Sequence, residues 1–235
     1  MATFVLIHGA GDGGWYWHLV ERELHARGHE VFAPDLPAGV PDARLADYAD
    51  AVVAAVGDPG GLPRPIVVAG QSFGGFTAPL AAERLRADVL GFVTGMVPAP
   101  GESPDDWWVN TGYRQAADEQ AALDGGLTGH DDPLVAFFHD VPRPVAEEAM
   151  GRERDHPVMS MPEPYPLAAL PDVPTRFALC TEDRFFPPAL MRRVVAERLH
   201  GVTPDEIAAG HCVALARPAE LADVLAGWAA DVGPG

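Results

Sequence analysis

The feature that most constrains this chain is a serine flanked by glycines, placed between an apolar run and helix-favouring sequence. The segment Gly70-Gln-Ser-Phe-Gly74 follows an apolar run at residues 66–69 and precedes an alanine- and leucine-rich stretch at residues 76–85. This order predicts a strand, a sharp turn and a helix, in which Ser72 takes a strained backbone conformation. Glycine at positions 70 and 74 avoids collisions with the neighbouring strand and helix. The segment therefore predicts a nucleophile elbow at the carboxyl edge of a sheet.

The rest of the chain alternates between apolar runs and amphipathic stretches. Strands are predicted at residues 4–7, 30–33, 66–69, 89–94, 176–179 and 205–208. Helices are predicted at about residues 15–27, 45–56, 76–85, 188–199 and 218–230. Repeated strand–helix units favour an α/β fold, with a predominantly parallel sheet of about six strands and helices on both faces.

Residues 97–170 interrupt this alternation. The stretch is rich in proline, glycine and acidic residues, and helical pieces are predicted at residues 113–123, 133–138 and 144–154. We interpret it as a cap inserted after the fourth strand of a single domain spanning residues 1–235, because it is too long for a simple connection. Six aromatic residues are candidates for an apolar pocket lining or for the core: Trp107, Trp108, Phe137, Phe138, Phe185 and Phe186.

The composition narrows the range of partners. The chain has 235 residues, a hydrophobic content of 48% and a formal net charge of −18, and all its basic residues are arginine. Such a surface repels nucleic acids and anionic membranes and disfavours polyanionic substrates. We therefore expect a small-molecule substrate, without nucleic acid or membrane partners. The oligomeric state is left open between a monomer and a homodimer.

Targeting and metal-binding patterns are absent from the sequence. The N-terminus runs directly into a predicted strand, without a charged leader or an extended apolar region, and no segment approaches the ~20 apolar residues of a membrane span. Cys180 and Cys212 form no C-x-x-C pair, which favours free thiols in a cytoplasmic protein. The nine histidines show no metal-ligand spacing, so neither a metal nor a cofactor is predicted.

A serine hydroxyl needs a base and an orienting acid to act as a nucleophile. The loop after the strand at residues 176–179 offers Glu182 and Asp183, and the loop after the last strand offers His211. The order serine, acid, histidine is the one expected for a nucleophile elbow in an α/β sheet. Asp183 is the favoured acid, with Glu182 as the alternative.

The loop after the first strand supplies backbone donors. In His8-Gly-Ala-Gly11 the small residues leave N–H groups open to a ligand, and His8 is expected to brace the loop. Together with the N–H of Phe73, the residue after the serine, these groups predict an oxyanion hole.

Four motifs together resemble the α/β-hydrolase superfamily: His8-Gly-Ala-Gly-Asp-Gly-Gly-Trp15, Gly70-Gln-Ser-Phe-Gly-Gly75, Thr181-Glu-Asp-Arg-Phe-Phe-Pro187 and Gly210-His211. Within it they are most similar to the branch of plant methyl esterases and hydroxynitrile lyases and their small bacterial relatives. The resemblance implies that Ser72 is the nucleophile, His211 the base and Asp183 its partner, with the amides of Ala10 and Phe73 as oxyanion donors. Lyases of this branch typically carry Thr and Lys where this chain has Gly9 and Cys212, which favours ester hydrolysis.

The sequence thus predicts a serine hydrolase that cleaves a small, uncharged or aromatic carboxylic ester through an acyl-enzyme. Thioester hydrolysis, acyl transfer and C–C bond cleavage remain open on the same residues. A non-catalytic small-molecule receptor is the alternative from another class.

Overall fold

A computed structural model of the protein describes residues 1–40, 42–153 and 161–233. Six strands form one sheet in the order β2-β1-β3-β4-β5-β6, and every neighbouring pair is parallel. The strands are β1 (Thr3–Ile7), β2 (Glu30–Phe32), β3 (Ile66–Gln71), β4 (Val89–Val93), β5 (Thr175–Cys180) and β6 (Asp205–Ile207). The predicted α/β fold with a parallel six-stranded sheet is confirmed.

Helices cover both faces of this sheet. They are α1 (His18–Ala26), α2 (Leu45–Val56), α3 (Gly74–Leu85), α4 (Pro104–Asn110), α5 (Tyr113–Asp124), α6 (Pro133–Ala136), α7 (Arg143–Arg152), α8 (Pro188–Arg198), α9 (Val213–Ala216) and α10 (Pro218–Val232). Alternate residues of β1 enter separate cores: Val5 and Ile7 join one, while Phe4 and Leu6 join the other. The first core packs α2, α3 and α8 against the sheet, and the second packs α1 and α10. Strands buried on both faces are the expected result of a parallel sheet.

Two short helices were missing from the sequence prediction. Ser103 caps α4, because its hydroxyl oxygen accepts a hydrogen bond from Asp106 N at 3.0 Å. This helix has only seven residues, so it shows too little periodicity to be recognised from sequence. The four-residue helix α9 lies directly after the loop of His211. Of the helix predicted at residues 144–154, the last position lies outside the described residues.

The segment between β4 and β5 contains α4 to α7, and partly buried polar contacts attach its first part to α8. Arg198 on α8 donates to Glu102 Oε1 at 2.9 Å and to Val97 O at 2.6 Å. Glu102 also accepts from Asn110 Nδ2 at 2.9 Å. The first residues of the segment are therefore held against α8 by these hydrogen bonds.

No helix in the described ranges is long and apolar enough to cross a membrane.

Candidate active site

The turn after β3 has the geometry that the glycine pattern predicts. Ser72 has a φ of 49°, the left-handed region that serine seldom adopts. A Cβ at Gly74 would lie 2.6 Å from His8 O and 2.7 Å from Ile7 O, and one at Gly70 would collide with Gly74 O. Only glycine lets α3 start so close to the end of β1.

The structure brings Ser72, His211 and Asp183 together in one hydrogen-bonded row. Ser72 Oγ lies 3.1 Å from His211 Nε2, and His211 Nδ1 lies 2.8 Å from Asp183 Oδ2. A carboxylate can only accept, so the imidazole carries its proton on Nδ1 and leaves Nε2 to accept from the serine. All three residues are buried, although they are separated by up to 139 positions in the chain.

Asp183 is held by three further donors. Thr94 Oγ1 donates to Oδ2 at 2.8 Å, and the N–H groups of Phe185 and Phe186 donate to Oδ1 at 2.8 and 2.9 Å. Glu182 is exposed, and within the described residues its hydrogen bonds are made by its backbone. Of the two adjacent acids, Asp183 is therefore the one whose carboxylate contacts His211. Sequence reasoning missed Thr94, whose only signal was a polar residue at the carboxyl end of a buried strand.

A pair of residues in the β4–β5 segment connects the loops that carry Asp183 and His211. His139 Nε2 lies 3.0 Å from Glu182 O, and Asp140 accepts a hydrogen bond from Gly210 N at 2.9 Å. A Cβ at Gly210 would lie 2.6 Å from His139 Nε2 and 2.7 Å from Asp140 Oδ1, so a larger residue there would displace these two side chains. Nothing in the local sequence pointed to either His139 or Asp140.

The loop after β1 presents backbone donors beside Ser72. His8 braces it, because Nδ1–H donates to Gly9 O at 2.8 Å and Nε2 accepts from Leu36 N at 3.1 Å. Among the described residues, the N–H of Ala10 has no hydrogen-bond acceptor. Phe73 is the N-cap of α3, so its N–H lies at the positive end of a helix dipole.

Two cavities meet at Ser72, Ala10 and Phe185. The smaller, which we call the His211 lobe, has a volume of about 190 Å³. Besides the shared residues its lining includes Asp12, Phe137, Phe138, Met150, Glu153 and His211. The larger, which we call the Trp108 lobe, has a volume of about 740 Å³. Its lining includes Phe73, Met96, Trp108, Val109 and Tyr113.

The aromatic residues predicted to line a pocket divide into two groups. Phe137, Phe138, Phe185 and Trp108 contact these cavities. Trp107 and Phe186 are fully buried and lie in neither lining. Trp107 instead packs against Phe186 with ring centroids 5.5 Å apart and donates from Nε1 to Val97 O at 3.1 Å. For Trp107 the core interpretation is therefore the one that holds.

The profile of the alpha/beta hydrolase family matches residues 4–224, a range that includes Ser72, Asp183, His211 and all six strands except the first residue of β1. The chain belongs to the alpha/beta hydrolase family. This family membership and the parallel sheet confirm the fold that the four sequence motifs implied.

Two curated plant proteins and one solved structure illustrate what this chain resembles. It is 28% identical over 142 residues to norfluorocurarine synthase 1 from Strychnos sp, covering 55% of this chain and 52% of that protein. It is 34% identical over 113 residues to Methylesterase 2 from Arabidopsis thaliana, covering 43% and 42%. The chain thus spans about half the length, or less, of these curated relatives. A pyrethroid hydrolase from Sphingobium faniae JZ-2 shares the fold, with a TM-score of 0.75, 23% identity and 97% coverage of both chains.

The resemblance to a branch containing plant methyl esterases is confirmed by these relatives. Within the described part of the chain, no group of three or more His, Cys, Asp or Glu side chains is arranged to hold a metal ion. Cys180 and Cys212 are buried free thiols, and burial raises the pKa of each well above its usual value. Cys212 lines the His211 lobe, but its thiol stays protonated near neutral pH and is therefore a poor nucleophile.

Asp12 is a second carboxyl group in the cavity, and sequence reasoning assigned it no role. Burial raises its pKa from 3.8 to about 7, while His211 lowers it and Glu153 raises it. Its side chain makes no hydrogen bond within the described part of the chain. Asp12 therefore changes charge near neutral pH at a position that faces the candidate site.

The raised pKa of Asp12 predicts a pH-dependent effect on stability. The folded state retains the Asp12 proton up to about pH 7, whereas the unfolded chain releases it near 3.8, so rising pH destabilises the fold between those values. Asp12→Asn removes this penalty. We expect its advantage in unfolding free energy over the parent to grow by about 2.5 kcal/mol between pH 5 and pH 8. Urea unfolding across this range checks it, and a difference that does not vary with pH would contradict it.

The two tryptophans of α4 should respond differently to truncation. Trp108→Ala widens the Trp108 lobe, so we expect a changed KM and chain-length preference on aryl esters, with kcat on an acetate ester nearly unchanged. Trp107→Ala leaves a cavity in the core and should destabilise the protein by about 3 to 5 kcal/mol. Steady-state kinetics over acetate to octanoate esters, together with thermal unfolding, separate the two effects. The same loss of stability in both variants, with no change in substrate profile, would place Trp108 in the core as well.

Proposed function

We propose that this alpha/beta hydrolase is a serine hydrolase that cleaves small carboxylic esters with an apolar or aromatic acyl group through an acyl-enzyme. The observation that carries the proposal is the row of contacts from Ser72 Oγ to His211 Nε2 at 3.1 Å and from His211 Nδ1 to Asp183 Oδ2 at 2.8 Å. The similarity to a protein named Methylesterase 2 supports the same chemistry.

In the acylation half-reaction, Ser72 Oγ attacks the ester carbonyl carbon while its proton passes to His211 Nε2. Asp183 accepts from Nδ1–H and stabilises the imidazolium that forms. Its own orientation is fixed by Thr94 and by two backbone N–H groups. The negative oxygen of the tetrahedral intermediate is stabilised by the N–H groups of Ala10 and Phe73. As the intermediate collapses, His211 gives its proton to the leaving alkoxide, and the alcohol departs.

In the deacylation half-reaction, a water molecule replaces the alcohol. His211 Nε2 removes a proton from that water, whose oxygen attacks the acyl carbon. The second tetrahedral intermediate breaks the bond to Ser72 Oγ, which recovers its proton from His211. The carboxylic acid is released and the resting hydrogen bonds are restored.

The lining of the cavities supports the acyl preference. The Trp108 lobe is lined largely by apolar and aromatic side chains, and its volume of about 740 Å³ is within the range of pockets that bind small organic molecules. The β4–β5 segment supplies Trp108 and Tyr113 to this lobe and Phe137 and Phe138 to the other. We therefore assign this segment the role of a cap that sets substrate size.

Turnover of p-nitrophenyl esters tests the proposal and separates an enzyme from a non-catalytic receptor. We expect the parent protein to hydrolyse p-nitrophenyl acetate and butyrate, and Ser72→Ala to reduce the rate to that of the buffer. Thioester and C–C substrates assayed beside them establish the preferred bond. Folded parent protein without hydrolysis that depends on Ser72 would favour the receptor alternative.

Cyanohydrin cleavage is expected to be negligible. The position after His211 is the neutral residue Cys212, so no cation is available there to stabilise a leaving cyanide. With mandelonitrile as substrate, benzaldehyde release should equal that of Ser72→Ala. Robust release above this background would overturn the assignment to ester hydrolysis.

A further inference from the structure

We propose that the His211 lobe binds a cationic alcohol group. The preferred substrates would then be esters of an uncharged apolar acid with a small quaternary or protonated amino alcohol. The inference rests on the proposed ester hydrolysis and narrows it to a substrate class. It places a charge on the alcohol, whereas the sequence predicted an uncharged ester.

The position of His211 decides which lobe takes which half of the ester. His211 must give its proton to the leaving alcohol, so the alcohol lies in the lobe that His211 lines. His211 lines the smaller lobe, and the larger lobe is lined without it. The alcohol therefore occupies about 190 Å³, too little for a drug-sized group, and the acyl group occupies the larger lobe.

Outside the hydrogen-bonded row, the polar side chains that line the His211 lobe contribute mainly hydrogen-bond acceptors. Asp12 and Glu153 contribute carboxyl groups, and the described lining residues include no arginine. Gln71, which is 1% exposed, also lines the lobe. Its Nε2 donates to His211 O at 3.3 Å, while its Oε1 is buried without a partner among the described residues. A lining of this kind is complementary to a group that carries positive charge or hydrogen-bond donors.

The walls between these acceptors are aromatic. Phe137, Phe138 and Phe185 line the lobe, and the rings of Phe137 and Phe185 lie 4.7 Å apart. Aromatic rings combined with carboxylates are the environment in which proteins bind ammonium groups, because ring faces attract cations. The formal net charge of −18 also raises the local concentration of cationic ligands.

The charge of Asp12 would balance the positive charges in this lobe. A cation in the lobe would repel the imidazolium that His211 forms during catalysis, and an ionised Asp12 offsets that repulsion. His211, Glu153, Tyr16 and Cys212 are the titratable groups that interact with Asp12. With a pKa of about 7, Asp12 is ionised in part of the molecules at neutral pH. A bound cation stabilises the ionised carboxylate and increases that fraction.

Two isosteric esters test the proposal on the intact protein. Benzoylcholine and 3,3-dimethylbutyl benzoate have the same acid and nearly the same shape. They differ in one atom of the alcohol, which is a positively charged quaternary nitrogen in the first and a neutral quaternary carbon in the second. For each, kcat/KM is divided by the ester's rate of alkaline hydrolysis to remove intrinsic reactivity. We expect a preference of about tenfold or more for the choline ester in the parent. The preference should rise between pH 6 and pH 8 as Asp12 ionises.

Asp12→Asn should reduce the preference to within about threefold of unity while the neutral ester is still cleaved. Glu147→Gln is the matched control, because it also replaces a carboxyl group by an amide. Glu147 lies on α7, pairs with Arg143 and does not line the lobe. The control should leave the preference at the parent value. Equal rates for the two esters in the parent, or an unchanged preference in Asp12→Asn, would overturn the inference and leave ester hydrolysis intact.

Failure of the proposed function gives a different result, in which neither ester is cleaved in a Ser72-dependent way. In that case, a binding measurement on the inactive variant tests the cationic alcohol site without relying on catalysis. Calorimetric titration of Ser72→Ala with choline and with 3,3-dimethylbutanol should show tighter binding of choline, lost on adding Asp12→Asn. Equal or absent binding of the two would count against a cationic alcohol site.

Discussion

Replacing Asp183 by asparagine is expected to lower kcat on an aryl ester by about four orders of magnitude, as loss of the acid does in serine proteases. An asparagine amide can donate to His211 Nδ1, which favours the tautomer with the proton on Nε2. That nitrogen then cannot accept the proton of Ser72. Asp183 is 3% exposed and accepts four hydrogen bonds, so the amide also loses acceptor capacity towards Thr94 or the backbone.

Glu182→Gln is the matched control for this prediction. It makes the same chemical change one residue earlier, on a side chain that is exposed. We expect its kcat to stay within about twofold of the parent. Steady-state kinetics check both variants, and circular dichroism with thermal unfolding confirms that each is folded. A large loss in Glu182→Gln with little change in Asp183→Asn would move the acid to Glu182.

Gly74→Ala is expected to have the largest effect on stability. The new methyl group would lie 2.6 and 2.7 Å from the carbonyl oxygens of His8 and Ile7, which belong to the backbone at the end of β1. Those atoms cannot yield without disturbing the pairing of β1 with β3, where Ile7 is in register with Gly70. We expect a loss of about 3 kcal/mol in unfolding free energy, or failure to fold.

Gly227→Ala provides the contrast. Gly227 lies in the middle of α10 with nothing within 4 Å of an added Cβ, so the substitution is accommodated without strain. Alanine there should stabilise the protein by about 0.5 to 1 kcal/mol, because it reduces the entropy of the unfolded chain and favours a helix. Urea unfolding measures both variants. Equal effects at the two positions would show that the turn is not constrained as described.

The sequence was informative where local chemistry determines structure. The turn around Ser72 needs its glycines for steric reasons, and apolar runs of strand length are distinctive in a parallel sheet. The acid and the histidine follow strands, and the carboxyl ends of parallel strands meet at one edge. The order of these residues therefore predicted that Ser72, Asp183 and His211 would come together.

The sequence was uninformative where contacts depend on how distant segments pack. Thr94 reaches Asp183 across 89 positions, and Asp140 reaches Gly210 across 70. The difference between Trp107 and Trp108 depends on the orientation of α4. Successive residues of a helix point about 100° apart, so one faces the core and the other the cavity. Because α4 itself was not predicted, their separate roles could not be predicted either.

The central claim, that Ser72 forms a covalent acyl-enzyme, is tested most directly by intact-mass spectrometry after reaction with a serine-directed fluorophosphonate. One equivalent of the phosphonyl group should add to the parent, and peptide mapping should place it on Ser72. His211→Ala should label far more slowly, because no base then removes the serine proton. Labelling at another residue, or active protein that remains unlabelled, would contradict the account.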